Sequence, residues 1–590
     1  MPSRTLYQVL AETTAAHGDS PALYAPQTRN GERAWQPWSW TEYKRAAEEI
    51  AAGLHTLGIH RGDIVALNSE TRLEFYLADL GILTNGSIAA ALYPSYPARE
   101  LVKALTTTAA RAVFLEDPSM LSLLGDAPVE HWILLTGEHE GALTLDALRE
   151  IGRRTMAADP ELLGRITAEV QPSDIAVLYL TSGATGEPKM AMVTHDSIVS
   201  NIDMGPAVLP LGPHDRTVAF LPSAHIAQRV VVEYLPMRSG MPVHFTESLL
   251  KLPNDIRSVK PTVLLAPPRM WERIYSSICA ELRKRPAAAR KLFYGAIALG
   301  LAAARYRRRG QPVPARIARP LRMADRLLFR KVRARFGGEI RVAASGAAPL
   351  SKDLAEFYEA IGMPIVEGYG LTEGGVTAFN PIGAQRPGSI GKALPDTRFR
   401  VADDGELLIQ GPTLFTRYFQ DSAATAEVLR DGWLHTGDIG YIDDEGFIYI
   451  TGRKKELIVS STGKKIYPAR VEALFKMEPL ISQVLLLGDD LPHLTALFTI
   501  NPAVAETLKG MDPFRGMPAA GLVTAAPVLK EVQKAVARVN EQLAPFEQVR
   551  KYRILERDFT IEAGELTATM KVRRARVMEN FKEQIEQLYQ

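Results

Sequence analysis

The sequence predicts an α/β fold: a large N-terminal domain of layered, largely parallel sheets with a β-rich subdomain, followed by a small C-terminal α+β domain. Short apolar segments alternate with helical patterns over roughly the first 400 residues. Hairpin-like sequence follows, and the last part of the chain has helices and strands of its own. A chain of 590 residues is also too long for one hydrophobic core.

The N-terminal part contains a succession of strand and helix patterns. Leu6, Val9, Leu10 and Thr13 have helical spacing, and residues 73–86 form a helical pattern that closes at Gly86. The strand candidates, in order, are "RGDIVALNS", "AAALYPSYP", "RAVFLED", "HWILLTG", "DIAVLYL", "RTVAFLP", "PTVLLAPP" and "EIRVAASG". Ligands of such folds bind beyond the carboxyl ends of strands, which makes the segments 179–195 and 345–351 candidate binding loops.

After residue 400 the sequence becomes richer in strand patterns and turn signals. "GELLIQG", "GDIGYIDDEGFIYIT" and "ELIVSS" are β-rich, and "DDEG" (443–446) is typical of a hairpin turn. The charged stretch "GRKKE" (452–456) precedes the last segment. We therefore expect an N-terminal domain over 1–452, a hinge at 453–456 and a C-terminal domain over 457–590.

Composition excludes several classes of protein. The single cysteine, Cys279, leaves no material for an intrachain disulfide or a cysteine-rich metal site, and fits a reducing compartment. The start of the chain lacks the pattern of a secretory signal. The longest run of low charge, 292–304, has thirteen residues, whereas a membrane-spanning helix needs about 20. We expect a cytoplasmic protein without a membrane span.

Positive charge is concentrated in residues 281–336. This basic segment holds seventeen Lys or Arg residues against two acids, Glu281 and Asp325. Such a segment is compatible with peripheral contact with an anionic membrane at its inner face, although a pair of solvated packing helices is the plainer interpretation. Only Phe293, Tyr294 and Tyr306 are aromatic before Phe329, which does not favour a nucleic-acid partner.

The loop "YLTSGATGEPKMAMVTH" (179–195) follows a strand candidate and is rich in glycine and hydroxyl residues. It does not match the Walker pattern, because Pro188 and Met190 stand where that pattern needs Gly and Ser or Thr. Glycines permit close approach to phosphate oxygens, and hydroxyls and a lysine bind them. On composition alone, a phosphate cradle and an ordinary Ser/Gly surface loop remain equally open.

Further segments show a resemblance to a known family. They are "LPSAHIAQRV" (221–230), "PTVLLAPPRMWERIY" (261–275), "SGAAPLS" (345–351), "EGYGLTE" (367–373), "WLHTGDIGYIDDEGFIYITGRKKELIVSSTGKKIYP" (433–468) and "GELTATMKVRR" (564–574). Together with the loop, in this order, they resemble the adenylate-forming (acyl-activating) superfamily and its long-chain fatty acyl-CoA synthetase branch. The resemblance extends from about residue 40 to Arg574.

The resemblance implies a two-step ligase. A fatty acid carboxylate attacks ATP to give an acyl-adenylate and pyrophosphate; a mobile C-terminal domain then swings, and CoA takes the acyl group and releases AMP. It implies ATP, Mg²⁺ and CoA as cofactor and co-substrates. Oligomeric state and acyl chain length are not indicated by the sequence.

The resemblance also implies roles for the nucleotide-binding residues. The phosphate-binding set is Thr181, Ser182, Gly183, Ala184, Thr185, Gly186 and Lys189. Tyr369 is implied to stack on adenine, in a pocket to which Gly346, Ala347, Glu367, Gly368 and Gly370 also belong. Thr372 is implied to bond the α-phosphate, and Glu373, with Thr181, to bind Mg²⁺. Ala184 and Met190 depart from the usual Thr and Gly of the loop.

The remaining roles fall on the second half of the site. Asp438 is implied to accept the ribose hydroxyls, Arg453 to reach ribose or phosphate, and Lys455 to be the hinge position. Lys571 is implied to be the catalytic lysine, in a motif where Ala568 replaces the usual Pro. His225 is implied to lie at the mouth of the acyl pocket. Ser461, Thr462 and Gly463 are implied to line the pantetheine channel.

Each assignment has a plainer alternative. Tyr369 could be a core aromatic, Glu373 an acid at a helix start, Asp438 a turn residue and His225 a structural histidine; Lys455 and Lys571 could be members of charge runs. At the level of function, the rivals are an acyl-AMP ligase that loads a carrier protein, an aryl or medium-chain acid–CoA ligase, and a silent acyl or nucleotide sensor. Retention of Thr181, Lys189, Glu373, Asp438, Arg453 and Lys571 argues against the sensor.

Overall fold

The structure is a computed structural model that describes residues 3–29, 32–181, 189–461, 463–508, 510–511, 517, 519–567 and 570–590. It confirms the predicted α/β class, with layered sheets in a large N-terminal part and a smaller C-terminal α+β part. The first helix, Leu6–His17, buries the four residues that the spacing picks out. It begins at a capping box, in which Thr5 and Gln8 each accept the other's backbone N–H.

An eight-stranded sheet forms one layer of the N-terminal part. Its strands, in spatial order, are Arg417–Tyr418, Lys189–Thr194, Ile175–Thr181, Ile88–Leu92, Ile64–Asn68, Ala112–Leu115, His131–Leu134 and Leu143–Thr144. The six from Ile175–Thr181 onward are parallel, and the first two are antiparallel to their neighbours. The central strands are buried along their whole length because helices cover both faces, which explains their uninterrupted apolar sequence.

Two further sheets complete the layers. One has the strands Val263–Ala266, Val342–Ser345, Ile365–Leu371, Gly375–Phe379 and Lys392–Ala393. The other has Thr217–Ala219, Val243–Phe245, Pro21–Arg29 and Glu32–Ser39. The first three strands of the five-stranded sheet are parallel, so Ser345 and the end of Ile365–Leu371 lie at the same edge.

Helices of the N-terminal part connect and cover these sheets. They are Leu6–His17, Trp40–Thr56, Leu73–Thr84, Ala98–Thr108, Pro118–Leu124, Leu145–Ala158, Leu162–Glu169, His195–Val208, Ile226–Gln228, Leu235–Ser239, Leu252–Val259, Pro268–Arg283, Ala287–Arg308, Ala315–Ala324, Arg330–Arg333, Lys352–Ala360 and Ser422–Val428. Arg229–Tyr234 and Asp325–Phe329 are π-helical, and Ala334–Phe336 is a 3₁₀ turn. Such π-helical segments are rare in proteins, and those that occur are often found at functional sites.

The β-rich subdomain and the C-terminal part follow in sequence. The subdomain contains Arg398–Val401, Glu406–Gln410, Leu429–Arg430, Trp433–Ile442 and Ile448–Arg453, and residues 443–446 form the predicted hairpin turn. A 3₁₀ turn, Lys454–Glu456, then leads into the C-terminal part. Its strands are Ile458–Val459, Lys465–Ile466, Ile481–Leu487, Leu494–Ile500 and Val549–Ile554; its helices are Pro468–Lys476, Pro502–Ala505, Ala519–Leu522, Ala526–Asn540, Arg574–Asn580 and Lys582–Tyr589.

One helix is longer than the charge pattern suggests. Ala287–Arg308 spans 22 residues, whereas the run without charge inside it, 292–304, has only thirteen. This helix is long enough and apolar enough to cross a membrane. In its most apolar window, 28% of the residues are buried inside the protein. One such helix is weak support for a membrane span. It packs against Lys352–Ala360 so closely that a Cβ on Gly300 would lie 2.2 Å from the Ala360 carbonyl oxygen.

The sheets bring several loops to one crevice. The carboxyl end of Ile175–Thr181 and the residues after Val342–Ser345 open toward it, and the β-rich subdomain lies beside it. The C-terminal part has its own core, with buried residues such as Val471, Phe475 and Phe498, against which Ala280 of the N-terminal part also packs. The two parts of the chain are therefore in contact.

Candidate active site

Asp438 is the centre of a polar corner in the β-rich subdomain. Its side chain is only 5% exposed, and its two carboxylate oxygens have different partners. The Tyr369 hydroxyl donates to Oδ2 at 2.6 Å, and Arg453 Nε donates to Oδ1 at 3.0 Å. The strands hold this geometry, because Asp438 and Arg453 are cross-strand partners. Each carboxylate oxygen keeps a second lone pair, which leaves capacity for two hydroxyl donors.

The charges of this corner stabilise one another. The Asp438 carboxylate is the main cause of the raised pKa of Arg453. Burial, followed by the charge of Asp438, raises the pKa of Tyr369 well above its usual value. Tyr369 is therefore a neutral hydrogen-bond donor, and Arg453 is a permanent cation with a fixed direction.

Small residues bring the backbone close to the same corner. Ala347 has a φ of 68°, which is uncommon for a residue with a side chain. A Cβ on Gly370 would lie 2.3 Å from the Gly375 carbonyl oxygen, and one on Gly368 would lie 2.7 Å from the Phe379 ring. Gly346, Ala347, Gly368 and Tyr369 line one wall of the crevice. The glycines of the "EGYGLTE" motif are thus required by packing as well as by any ligand.

Glu367, from the same motif, lies behind this wall. Its side chain is buried, and its carboxylate accepts the Gly388 N–H at 3.4 Å. Burial raises its pKa to about 8. Its backbone carbonyl accepts the Asn380 N–H at 2.9 Å, so the residue ties the strand Ile365–Leu371 to the segment after Gly375–Phe379.

Thr181 and Lys189 stand at the two ends of the phosphate-loop candidate. They are cross-strand partners, and the Lys189 N–H donates to Thr181 Oγ1 at 3.2 Å. Ser182, Gly183, Ala184, Thr185 and Gly186 lie outside the described residues. The pairing of the two ends fixes where the loop begins and where it returns.

Glu373 is connected to Lys189 through the side chain of Tyr418. The Tyr418 hydroxyl donates to Glu373 Oε1 at 2.6 Å, and Lys189 Nζ lies 5.1 Å from the centre of the Tyr418 ring. Thr372, which precedes Glu373 in the motif, is partly buried. Tyr418 was not among the residues singled out from the sequence, because a single tyrosine in "TRYFQ" carries no pattern that points to a site.

Lys571 belongs to the C-terminal part and lies close enough to His225 for the two charges to interact. Its pKa is lowered to about 8, first by burial and then by repulsion from Arg453, against the attraction of Asp438, Glu373 and Glu456. The side chain itself keeps contact with water. These two facts agree if the ammonium group lies in a crevice, where water touches it but protein surrounds it at the longer distances that govern charge screening. Lys571 thus lies among the groups that the resemblance assigns to the nucleotide.

His225 lies near Lys571 at the start of the helix Ile226–Gln228. Its Nδ1 accepts the Ala227 N–H at 3.2 Å, which places the ring proton on Nε2. Burial, followed by repulsion from Lys571, lowers its pKa to about 3. His225 is therefore a neutral donor at the crevice mouth and brings no charge to it.

Lys455 is not one of the residues that line the crevice. It is exposed in the turn Lys454–Glu456, and its Nζ is 4.0 Å from Glu427 Oε1. The position is where the chain leaves the β-rich subdomain. Of the residues implied to line a pantetheine channel, Ser461 donates its N–H to the Leu491 carbonyl and Gly463 donates its N–H to the Ser460 carbonyl, while Thr462 lies outside the described residues.

The deep part of the crevice is apolar. Side chains that pattern analysis does not identify line it, and its cavity has a volume of about 80 Å³ within a space of about 770 Å³ that includes open solvent. The apolar lining residues are Ile202, Val208, Leu209, Ile226, Ala227, Val230, Val231, Leu235, Leu265, Val376, Phe379 and Leu394. His225 and Tyr369 stand on the same crevice. A polar nucleotide corner and an apolar cavity therefore share one opening.

Comparison with known proteins decides the family. The AMP-binding enzyme family model matches residues 10–419, and the model of the AMP-binding enzyme C-terminal domain matches residues 455–590. The chain belongs to the AMP-binding enzyme family. This confirms the resemblance to the adenylate-forming superfamily and to its long-chain branch.

Curated relatives of this AMP-binding enzyme cover most of its length. The long-chain-fatty-acid–CoA ligase FadD15 of Mycobacterium bovis is 36% identical over 94% of this chain and 92% of its own. The long-chain-fatty-acid–CoA ligase ACSBG2 of Rattus norvegicus is 29% identical over 99% of this chain and 93% of its own.

Solved structures share the fold at lower identity. The anthranilate CoA ligase AuaEII, in complex with anthranoyl-AMP, has a TM-score of 0.76 at 19% identity and covers 99% of both chains. ATP-bound MatB from Rhodopseudomonas palustris has a TM-score of 0.68 at 21% identity, over 98% of this chain and 99% of that one. At these identities the comparison establishes the two-part fold of the AMP-binding enzyme and nothing about its substrate.

Proposed function

We propose that the protein is an ATP-dependent long-chain fatty acid–CoA ligase that forms an acyl-adenylate and pyrophosphate, and then acyl-CoA and AMP. One observation carries the proposal: the charge of Lys571 interacts with Asp438, Glu373 and His225, and His225 lines a largely apolar crevice. A nucleotide and an aliphatic carboxylic acid can meet there with their reacting groups beside one ammonium group.

In the first step, each of these residues has a separate task. Asp438 accepts the ribose hydroxyls, while Tyr369 and the small residues around Gly346 hold the adenine. Lys571, cationic below its pKa of about 8, stabilises negative charge that develops between the carboxylate and the α-phosphate. His225 donates from Nε2 to the acid and orients it. The hydrogen bonds of Tyr369, Asp438 and His225 support the roles of these three residues.

Mg²⁺ fits the acid side of the site. Glu373 uses Oε1 toward Tyr418, which leaves Oε2 for a ligand, and Thr181 offers a hydroxyl oxygen. Among the described residues, no three His, Cys, Asp or Glu side chains are grouped to hold a metal ion. Mg²⁺ suits such a site, because it is commonly held by one or two protein oxygens together with phosphates and water. When bound, it offsets phosphate charge.

In the second step, we propose that the C-terminal domain turns about Lys455 and withdraws Lys571. The thiol of CoA then attacks the acyl carbon, and AMP leaves. The acyl-adenylate is already activated, and the residues around it need only exclude water and hold AMP. The domain limits of 1–452 and 457–590 belong to this proposal.

The crevice supports an aliphatic acid over the aryl alternative, since its lining is mostly apolar, with Asn201, His225, Ser345 and Tyr369 as its polar side chains. The test is AMP release with palmitate, with and without CoA, beside ATP–pyrophosphate exchange. We expect exchange with palmitate alone and AMP release that requires CoA. Adenylate accumulation with no response to CoA would point to a carrier-protein ligase, and no exchange with any acid to a sensor.

We also propose peripheral contact between the basic segment 281–336 and the anionic, cytoplasmic face of a membrane. Four large apolar side chains of this segment are more than half exposed: Leu292, Tyr294, Met323 and Leu327. The helix Ala315–Ala324 buries none of its residues. Apolar side chains set among many cations are the combination that inserts into and adheres to anionic bilayers, at about 1 kcal/mol per well-placed Lys or Arg.

Co-sedimentation with lipid vesicles tests the membrane proposal. We expect binding to vesicles that contain an anionic lipid, weakened by salt, and little binding to neutral vesicles. Replacing both Leu292 and Leu327 by Ser should weaken it further, whereas Leu123→Ser, at an equally exposed leucine outside the segment, should not. Equal binding to neutral and anionic vesicles would count against the proposal.

A further inference from the structure

Tyr418 connects two residues of the phosphate site that lie far apart in the sequence. Lys189 follows the loop candidate, and Glu373 ends the "EGYGLTE" motif. The ring of Tyr418 lies 5.1 Å from Lys189 Nζ, and its hydroxyl donates to Glu373 Oε1 at 2.6 Å. One side chain thus contacts both the cation and the carboxylate.

The backbone around Tyr418 is fixed on both sides. The strand Arg417–Tyr418 pairs with the strand that begins at Lys189, and Tyr418 lies opposite Ala191. Thr416 and Phe419 each donate a backbone N–H to that strand, at 2.9 and 2.7 Å. The Tyr418 N–H donates to Thr425 Oγ1 at 3.0 Å. The ring therefore has little freedom to follow a ligand.

The same segment also holds the backbone of Glu373. The Phe415 N–H donates to the Glu373 carbonyl at 2.8 Å, and the Phe415 ring lies 4.9 Å from the Tyr418 ring. Tyr418 is 5% exposed. Both the main chain and the carboxylate of Glu373 are thus anchored to residues 415–418.

We propose that Tyr418 is a positioning residue for the triphosphate. Its hydroxyl orients the Glu373 carboxylate so that Oε2 faces the metal, and its ring supports the Lys189 ammonium group beside the phosphates. The inference rests on the proposed function, because it assumes that Mg²⁺ and ATP bind here. A hydrogen bond to a charged group and a cation–π contact are separate interactions, and different substitutions remove them.

Two variants separate the contributions. Tyr418→Phe removes the hydroxyl and keeps the ring, while Tyr418→Leu removes both. We expect Tyr418→Phe to raise the Mg²⁺ concentration needed for half-maximal activity by about 10- to 100-fold, the range for a hydrogen bond to a charged group. Tyr418→Leu should in addition weaken ATP binding without Mg²⁺ by about two- to fivefold.

The binding readout is calorimetric titration of ATP into the full-length protein without fatty acid, with and without Mg²⁺. Tyr441→Phe is the matched control, because Tyr441 is exposed and contacts Tyr449 rather than the site. Thermal unfolding of each variant reports whether it is folded. Should Tyr418→Leu fail to fold, Tyr418→Phe decides the question, since it keeps the buried ring.

A double-mutant cycle with Glu373→Gln completes the test. If Tyr418 acts through Glu373, Tyr418→Phe has no further effect on the Mg²⁺ requirement in that background. A Mg²⁺ requirement unchanged by Tyr418→Phe in a wild-type background, or the same loss in both backgrounds, overturns the inference. A wild-type protein that binds no Mg²⁺–ATP would instead refute the proposed function.

Discussion

The proposed nucleotide corner and Lys571, the proposed catalytic lysine, are held in place in different ways. Hydrogen bonds of 2.6 and 3.0 Å tie Asp438 of the β-rich subdomain to Tyr369, in the strand Ile365–Leu371, and to Arg453. Lys571 comes from the C-terminal part, whose polar links to the N-terminal part include Arg269 Nη1 to the Ser482 carbonyl at 2.7 Å. Arg283 and Glu531 add an ion pair at 3.9 Å.

In the proposed mechanism, the N-terminal part therefore binds the nucleotide and the C-terminal part supplies the catalytic charge. The hydrogen bonds that hold this corner lie within the N-terminal part. The ammonium group is present only when the two parts meet. Such an arrangement suits two successive reactions, in which the nucleotide remains bound while the catalytic charge is supplied and then removed. Four predictions test this contrast, from the largest expected effect to the smallest.

Replacing Lys571 by Met should abolish the first step alone. We expect ATP–pyrophosphate exchange to fall by about 10²- to 10⁴-fold, because a preorganised charge at the reacting phosphate is lost. Conversion of a supplied acyl-adenylate to acyl-CoA should stay within a few-fold of wild type. Lys551→Met, at an exposed lysine of the same domain, is the control. Full exchange activity in folded Lys571→Met protein would falsify the proposed mechanism.

Replacing Asp438 by Asn should impair both steps. The change leaves Arg453 beside a neutral group and weakens the acceptor for the ribose, for which we expect about a 10- to 100-fold higher KM for ATP. Exchange and adenylate-to-CoA transfer should fall together, in contrast to Lys571→Met. If transfer is unaffected by Asp438→Asn, the nucleotide corner does not hold AMP in the second step.

The first step should lose activity in alkaline solution. Lys571 is cationic below its pKa of about 8, so the exchange rate should fall roughly tenfold per pH unit above that value. His225, with a pKa of about 3, is neutral throughout the usual range and should add no acidic limb above pH 5. Acyl-adenylate-to-CoA transfer, measured separately, should lack the Lys571 contribution. A flat exchange profile between pH 7 and 10 would contradict this.

Loosening the link between the parts should give the smallest effect. Arg269→Ala removes the hydrogen bond to the Ser482 carbonyl, and one such bond corresponds to about a fivefold change in a population. We expect a modest fall in exchange, with no change in ATP binding. Arg273→Ala, on the same helix, serves as the control. Equal losses in ATP binding and exchange would show that Arg269 supports the nucleotide corner instead.

Sequence reasoning located the strand ends and the motifs more reliably than the contacts between them. It identified residues 443–446 as a turn and Leu6, Val9, Leu10 and Thr13 as a buried face, because both depend on local spacing. It considered only the thirteen residues of low charge, 292–304, and gave no bounds for the helix Ala287–Arg308, since arginines at both ends of a helix interrupt a charge count without ending the helix. It could not find Tyr418, whose two contacts lie 229 and 45 positions away.

The sequence by itself determined the family, the order of the motifs and the residue types available to bind phosphate, ribose and magnesium. These follow from local patterns, which survive in one dimension. Only the tertiary structure decided that Tyr418 lies between Lys189 and Glu373, that burial keeps His225 neutral, and that the pKa of Lys571 is lowered. Burial and charge depend on neighbours that strand register and domain contact bring together, and no spacing along the chain encodes those distances.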